Sequence, residues 1–127
     1  MRVEVQKLLD QFNKYEQRII IGLDFDDTIF PLADTALNQE RCEKVVELIK
    51  EVQGIAHICL WTVADDAGLM YKKYIAESMG IRVDYVNDSP VKFGNSRKPY
   101  FNILLDDGAG LNESIDILTE FKDLVVK

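Results

Sequence analysis

Apolar positions along this chain fall into two alternating patterns, short unbroken runs and longer stripes spaced three and four apart. Residues 18–25 form an unbroken run, as expected of a central parallel strand covered on both faces. Residues 55–61 predict a second buried strand, and residues 81–86 and 101–105 read as a third and a fourth. Between them, Cys42, Val45, Val46, Leu48, Ile49 and Val52 mark an amphipathic helix over 39–53, closed by Gly54. Leu69, Met70, Tyr74, Ile75 and Met79 mark a second helix, capped by Asp65 or Asp66 and stopped by Gly80. Leu111, Ile115, Leu118, Phe121 and Leu124 or Val125 predict a helix after Gly108 and Gly110. Val3, Val5, Leu8, Leu9, Phe12 and Tyr15 predict one through about residue 15.

Strands alternating with helices imply an α/β chain, a three-layer Rossmann-like parallel sheet with helices on both faces. Sheets of this kind bind ligands at the carboxyl ends of their strands. The polar residues follow that rule. Asp24 and Asp26 end the first strand, Thr62 ends the second, and Asp106 and Asp107 end the fourth. Lys98 lies just before the fourth strand, in a loop able to fold back to the same rim. Carboxylates crowded together repel one another unless a cation or a proton is supplied, so the cluster asks for a metal.

Composition sets the frame. A chain of 127 residues with 47% hydrophobic composition is expected to form one domain over 1–127, with 1–17 as an N-terminal helix packed on the core. Cys42 and Cys59 are too few and too far apart for a disulfide framework or a thiolate zinc site and read as reduced core thiols. No apolar run approaches a membrane span and no signal-peptide pattern opens the chain, so a soluble, cytoplasmic protein is expected. The net charge of −7 argues against broad nucleic-acid binding. It leaves room for a nucleotide or a nucleic-acid end as substrate, which the basic trio Lys92, Arg97 and Lys98 could steer locally.

The motifs in order, Asp24-Phe25-Asp26-Asp27-Thr28, the apolar strand ending in Thr62, Lys98, and Asp106-Asp107, resemble those of the haloacid dehalogenase-like phosphohydrolases. The segment from Ser96 to Asp107 is similar to small bacterial and phage members of that superfamily and, less closely, to deoxyribonucleotidases. The resemblance implies a magnesium-dependent (Mg²⁺) phosphomonoester hydrolase working through an aspartyl-phosphate. Asp24 is then the nucleophile and Asp26 the acid/base. Asp24, the Asp26 carbonyl, Asp107 directly and Asp106 more remotely would hold the metal. Thr62 and Lys98 would hold the phosphoryl oxygens, with Lys92 as competitor for the lysine role. Gly108 and Ala64 stand where such relatives often carry a basic residue.

Relatives insert a specificity cap after the first or second motif. Here only a short loop, about 29–38, follows the first motif, and the second interval holds one helix and strand, so no cap domain is expected. An open site of this kind either accepts a large substrate end or is closed by a neighbouring subunit of a homo-oligomer. A small phosphorylated substrate, first of all a nucleotide, is the expected partner, with a polynucleotide phosphate end as the alternative. A signalling receiver domain shares the sheet, acidic pair, threonine and lysine, but its acid pair would come first. Among other residues, His57 begins a strand far from the rim and reads as structural, and Asp27 reads as a solvated turn residue. Trp61, Phe30 and Tyr100 read as packing aromatics near the mouth.

Overall fold

The computed structural model describes residues 1–91 and 99–126. Along the chain come helix α1 (Val3–Lys14), strand β1 (Ile19–Leu23), helix α2 (Ala36–Val52), strand β2 (Ala56–Leu60), helix α3 (Asp66–Ser78), strands β3 (Tyr85–Val86) and β4 (Ile103–Leu105), and helix α4 (Leu111–Val125). The four strands form one parallel sheet in the order β3-β2-β1-β4, flanked by helices in the Rossmann-like manner. The chain steps outward from β1 to β3, then crosses back to set β4 on the far side of β1. The carboxyl end of β1 is therefore a topological switch point, where open α/β sheets form their binding crevice.

Alternation along β1 sends Ile19, Ile21 and Leu23 to one face, in register with Ala56, Ile58 and Leu60 and with Ile103 and Leu105. These residues join Val5 and Leu8 of α1, Val45, Ile49 and Val52 of α2, and Ile115, Leu118 and Phe121 of α4 in one apolar cluster. Gly22, on the other face, lies under the Phe101 ring so closely that an added Cβ would sit 2.5 Å from Phe101 Cδ2.

The element ends depart from the sequence pattern for identifiable reasons. β1 stops at Leu23, short of residue 25, because the Phe25 carbonyl accepts from the N–H groups of Thr28, Ile29 and Phe30 and so turns the chain sharply. The expected strand 81–86 shrinks to Tyr85–Val86. Before it, side chains take over part of the pairing. Arg82 donates to the carbonyls of Gln53 and Ala56, and the Asp84 carboxylate accepts from Ile58 N. At β4, Asn102 does the same, accepting from Ile20 N at 2.7 Å through its side chain while its own N–H donates to the Ile20 carbonyl. Helix α2 starts at Ala36 rather than 39, with Thr35 as its cap accepting from Asn38 N. Its exposed first turn carries no apolar stripe to announce it. A short 3₁₀ turn, Gln53–Ile55, replaces the expected stop at Gly54.

The stripe assigned to α3 is also rotated. Met70 and Tyr74 are exposed, while Leu69, Lys72, Ile75, Ala76 and Met79 form the more covered side. Among the described residues, no helix is long and apolar enough to cross a membrane.

Candidate functional site

The residues just beyond Leu23 continue the sheet for one more step. Asp24 N–H donates to the Leu105 carbonyl at 2.9 Å, and Trp61 N–H to the Leu23 carbonyl at 2.8 Å. The ends of β4, β1 and β2 are thus clamped side by side, which sets Asp106, Asp24 and Thr62 on one edge. The chain then closes the tight 25–30 turn, with Asp27 in the left-handed region at φ 58°. Asp27 is more than the solvated turn residue its sequence context suggests. Its Oδ1 accepts from Leu32 N, Ala33 N and Asn38 Nδ2 at 2.8–3.0 Å, tying down the loop in front of α2. Those bonds hold its carboxyl below the usual value.

Asp24 is half-buried, and burial first, then the charges of Asp106 and Asp26, raise its carboxyl above the ordinary value. The Phe25 N–H and the Thr28 hydroxyl work against that rise. Thr28 is fully buried. Its Oγ1 lies 3.4 Å from Asp24 Oδ2 and accepts from Asp107 N at 3.0 Å, so one hydroxyl joins the first and last motifs.

The two acids after β4 part company. Asp106 is near enough to Asp24 to raise it, and its Oδ1 accepts from Gly108 N. Asp107 is exposed, and its carboxylate pairs with Arg41 of α2. Among the described residues, no three acidic, histidine or cysteine side chains already converge as a finished cation cage. The donor set is nevertheless of the right kind for a hard dication. Asp24, Asp106 and the Asp26 carbonyl are all oxygen donors, and a cation beside Asp24 would favour the charged carboxylate that burial, and then the charges of Asp106 and Asp26, disfavour.

Thr62 is buried, and its N–H donates to Asn87 Oδ1 at 2.9 Å, which pins the end of β2 to the residue following β3. Lys92, Arg97 and Lys98 lie outside the described residues. Among the described residues, the lysine at this edge is Lys72 of α3, which sequence reasoning missed. Its Nζ donates to Asp26 Oδ2 and Thr62 Oγ1, each at 3.0 Å, and to the Val63 carbonyl at 3.3 Å. It also stands 5.4 Å from the centre of the Phe25 ring. A signal existed. With Leu69, Ile75, Ala76 and Met79, Lys72 makes an i, i+3, i+7 stripe, and a lysine in such a stripe has its stem against the core and its charge at one end.

His57 meets Tyr85 edge-on within the sheet, Trp61 meets Phe101 edge-on at 6.0 Å, and Phe30 stacks on Phe25 at 5.4 Å. Asp65 caps α3, accepting from Gly68 N. Cys42 and Cys59 are free and buried. Comparison with protein-family models, curated proteins and solved structures finds no match to this chain, so the reading of the site rests on its own residues.

Proposed function

We propose that this protein is a magnesium-dependent phosphomonoester hydrolase of the haloacid dehalogenase-like type, with Asp24 as nucleophile. The observation that carries the reading is the grouping of Asp24, Asp26, Thr62 and Asp106 at three adjacent strand ends around the switch point.

In the proposed reaction an Asp24 carboxylate oxygen attacks phosphorus. The P–O bond to the leaving group breaks, and its electron pair goes to the departing oxygen, which takes a proton from the Asp26 carboxyl. The Asp24 aspartyl-phosphate then reacts with water. Asp26, now a carboxylate, accepts the water proton as oxygen attacks phosphorus, the Asp24 carboxylate departs, and phosphate is released. The Thr62 hydroxyl donates to a phosphoryl oxygen, where charge collects in a loose transition state. Thr28 keeps Asp24 aimed through its hydroxyl. Asp24, Asp106 and the Asp26 carbonyl would hold the magnesium, which when bound supplies positive charge to the reacting oxygens and favours the ionised nucleophile. The pairing of Asp107 with Arg41 favours Asp106 over Asp107 as the nearer carboxylate.

The short 24–35 connection, in which nothing but the Asp27-bound loop precedes α2, supports an open mouth suited to a nucleotide monophosphate or a longer phosphorylated end. A cytoplasmic setting, where the two free thiols stay reduced, goes with this reading.

The test is hydrolysis of p-nitrophenyl phosphate with and without Mg²⁺, followed by mononucleotides and 3′- and 5′-phosphorylated oligonucleotides at several salt concentrations. Activity should vanish in excess chelator, return with Mg²⁺, and be lost in Asp24→Asn. Acid-quenched wild-type protein should carry phosphate on Asp24. Undiminished turnover in chelator, or phosphate on Asp106, would reject the assignment.

A further inference from the structure

We infer that Lys72, from the middle of α3, is the ammonium that receives the phosphoryl group and positions Asp26. This inference deepens the proposed hydrolase reading and rests on it for the chemistry.

A lysine ammonium has three donors and no acceptor. In the structure all three have acceptors, namely Asp26 Oδ2, Thr62 Oγ1 and the Val63 carbonyl. The Lys72 side chain is only 15% exposed, with its charge beside the Phe25 ring. A lysine held this firmly has given up most of its rotamer freedom. An outward-facing neighbour shows the alternative. Lys73, one residue on, keeps 46% exposure and makes only a surface pair with Glu77 at 3.6 Å.

The three acceptors differ in what they can give up. Asp26 Oδ2 and Thr62 Oγ1 belong to the two side chains that would handle the leaving-group proton and a phosphoryl oxygen. The Val63 carbonyl is the longest contact, at 3.3 Å, and belongs to a residue 95% exposed, so water can satisfy it when the ammonium turns away. A phosphoryl oxygen arriving beside Thr62 therefore takes the donor now spent on Val63, while the bond to Asp26 persists. Through that bond Lys72 fixes the direction in which Asp26 presents its carboxyl, acting there as a positioning residue. Through the freed donor it touches the substrate. With Lys72 in this place, the phosphate-binding lysine comes from α3, beyond the second strand.

The experiment compares Lys72→Met, Lys72→Ala, Lys73→Met and Lys98→Ala in the full chain, each first checked for a wild-type circular dichroism spectrum and cooperative unfolding. Two readouts are taken, inorganic phosphate affinity with Mg²⁺ by calorimetry, and kcat and KM on p-nitrophenyl phosphate. The expected result is at least a tenfold weaker phosphate affinity and a kcat loss of about 10²–10³ for Lys72→Met, the range for losing one preorganised donor. Propylammonium should restore part of the activity of Lys72→Ala, and Lys73→Met should match wild type. Unchanged phosphate affinity in Lys72→Met, a larger loss in Lys98→Ala, or no phosphate binding by wild type would each overturn the inference. A wild type that binds phosphate through Lys72 but turns over no phosphomonoester would uphold it and reject the hydrolase reading instead.

Discussion

Gly22→Ala is a demanding test of how the sheet is packed beneath the site. Gly22 is the fourth of five residues in the central strand, paired with Cys59 on one side and Leu104 on the other, so its backbone cannot retreat. An ideal Cβ there would lie 2.5, 2.7 and 2.8 Å from Cδ2, Cγ and Cε2 of Phe101. Carbon atoms rest at about 3.5–4.0 Å, so the ring would have to move by roughly 1 Å. That ring packs edge-on against Trp61 at 6.0 Å, and the adjoining Asn102 is bound to β1 through both its side chain and its backbone. Overpacking a fitted core typically costs about 1–3 kcal/mol, and so constrained a site belongs near the top of that range. Alanine returns up to about 1 kcal/mol by restricting the unfolded chain. The net loss should be about 2 kcal/mol, roughly 8 °C in melting temperature for a domain of this size. Urea unfolding of Gly22→Ala, Phe101→Ala and the double variant measures it. In the Phe101→Ala background the added methyl should be close to neutral, a coupling of at least about 1 kcal/mol. A loss under about 0.5 kcal/mol, or the same loss with and without the ring, would refute the packing argument.

Other consequences follow from the acids and thiols. Because the carboxyl of Asp24 is raised on folding, the folded protein binds more protons than the unfolded chain once pH exceeds the ordinary carboxyl value of 3.8. The stabilisation is therefore present at low pH and lost as pH rises through the folded value, so metal-free Asp24→Asn should melt higher than wild type at pH 7, with the gap closing toward pH 3. Asp27 has the opposite sign: its lowered carboxyl stabilises above 3.8 and stops doing so as pH falls through the folded value. Asp27→Ala, which strips three hydrogen bonds from the loop, should cost about 1–2 kcal/mol near neutrality and progressively less in acid, read by urea unfolding across pH. Burial pushes the Cys59 thiol up to about 12 and raises Cys42 as well. Neither should react with a thiol reagent at pH 8 until denaturant is added, and rapid native labelling would contradict the buried placement.

Much of this architecture can be read in the sequence because it depends on local pattern. Unbroken apolar runs had to be buried strands, and three of them ending in Asp24, Thr62 and Asp106 put polar chemistry at one edge of a parallel sheet. A cap at Asp65 or Asp66, settled as Asp65 by the fold, and the final helical stripe are likewise short-range features. Lengths and directions were decided elsewhere. β3 kept two residues because Arg82 and Asp84 satisfy neighbouring backbone groups with side chains, which no pattern of hydrophobicity encodes. Met70 and Tyr74 turned outward because α3 is oriented by what Lys72 and Ala76 meet across the fold, and an apolar residue on a helix does not announce its own face. Asp106 and Asp107 are adjacent and chemically identical in sequence. Only the folded chain separates them, by bringing Arg41 from α2 to one and Asp24 from β1 to the other. The sequence determined which residues could carry charge and hydrogen bonds to the rim. The tertiary structure decided which of them face one another, because that depends on distances between elements remote along the chain.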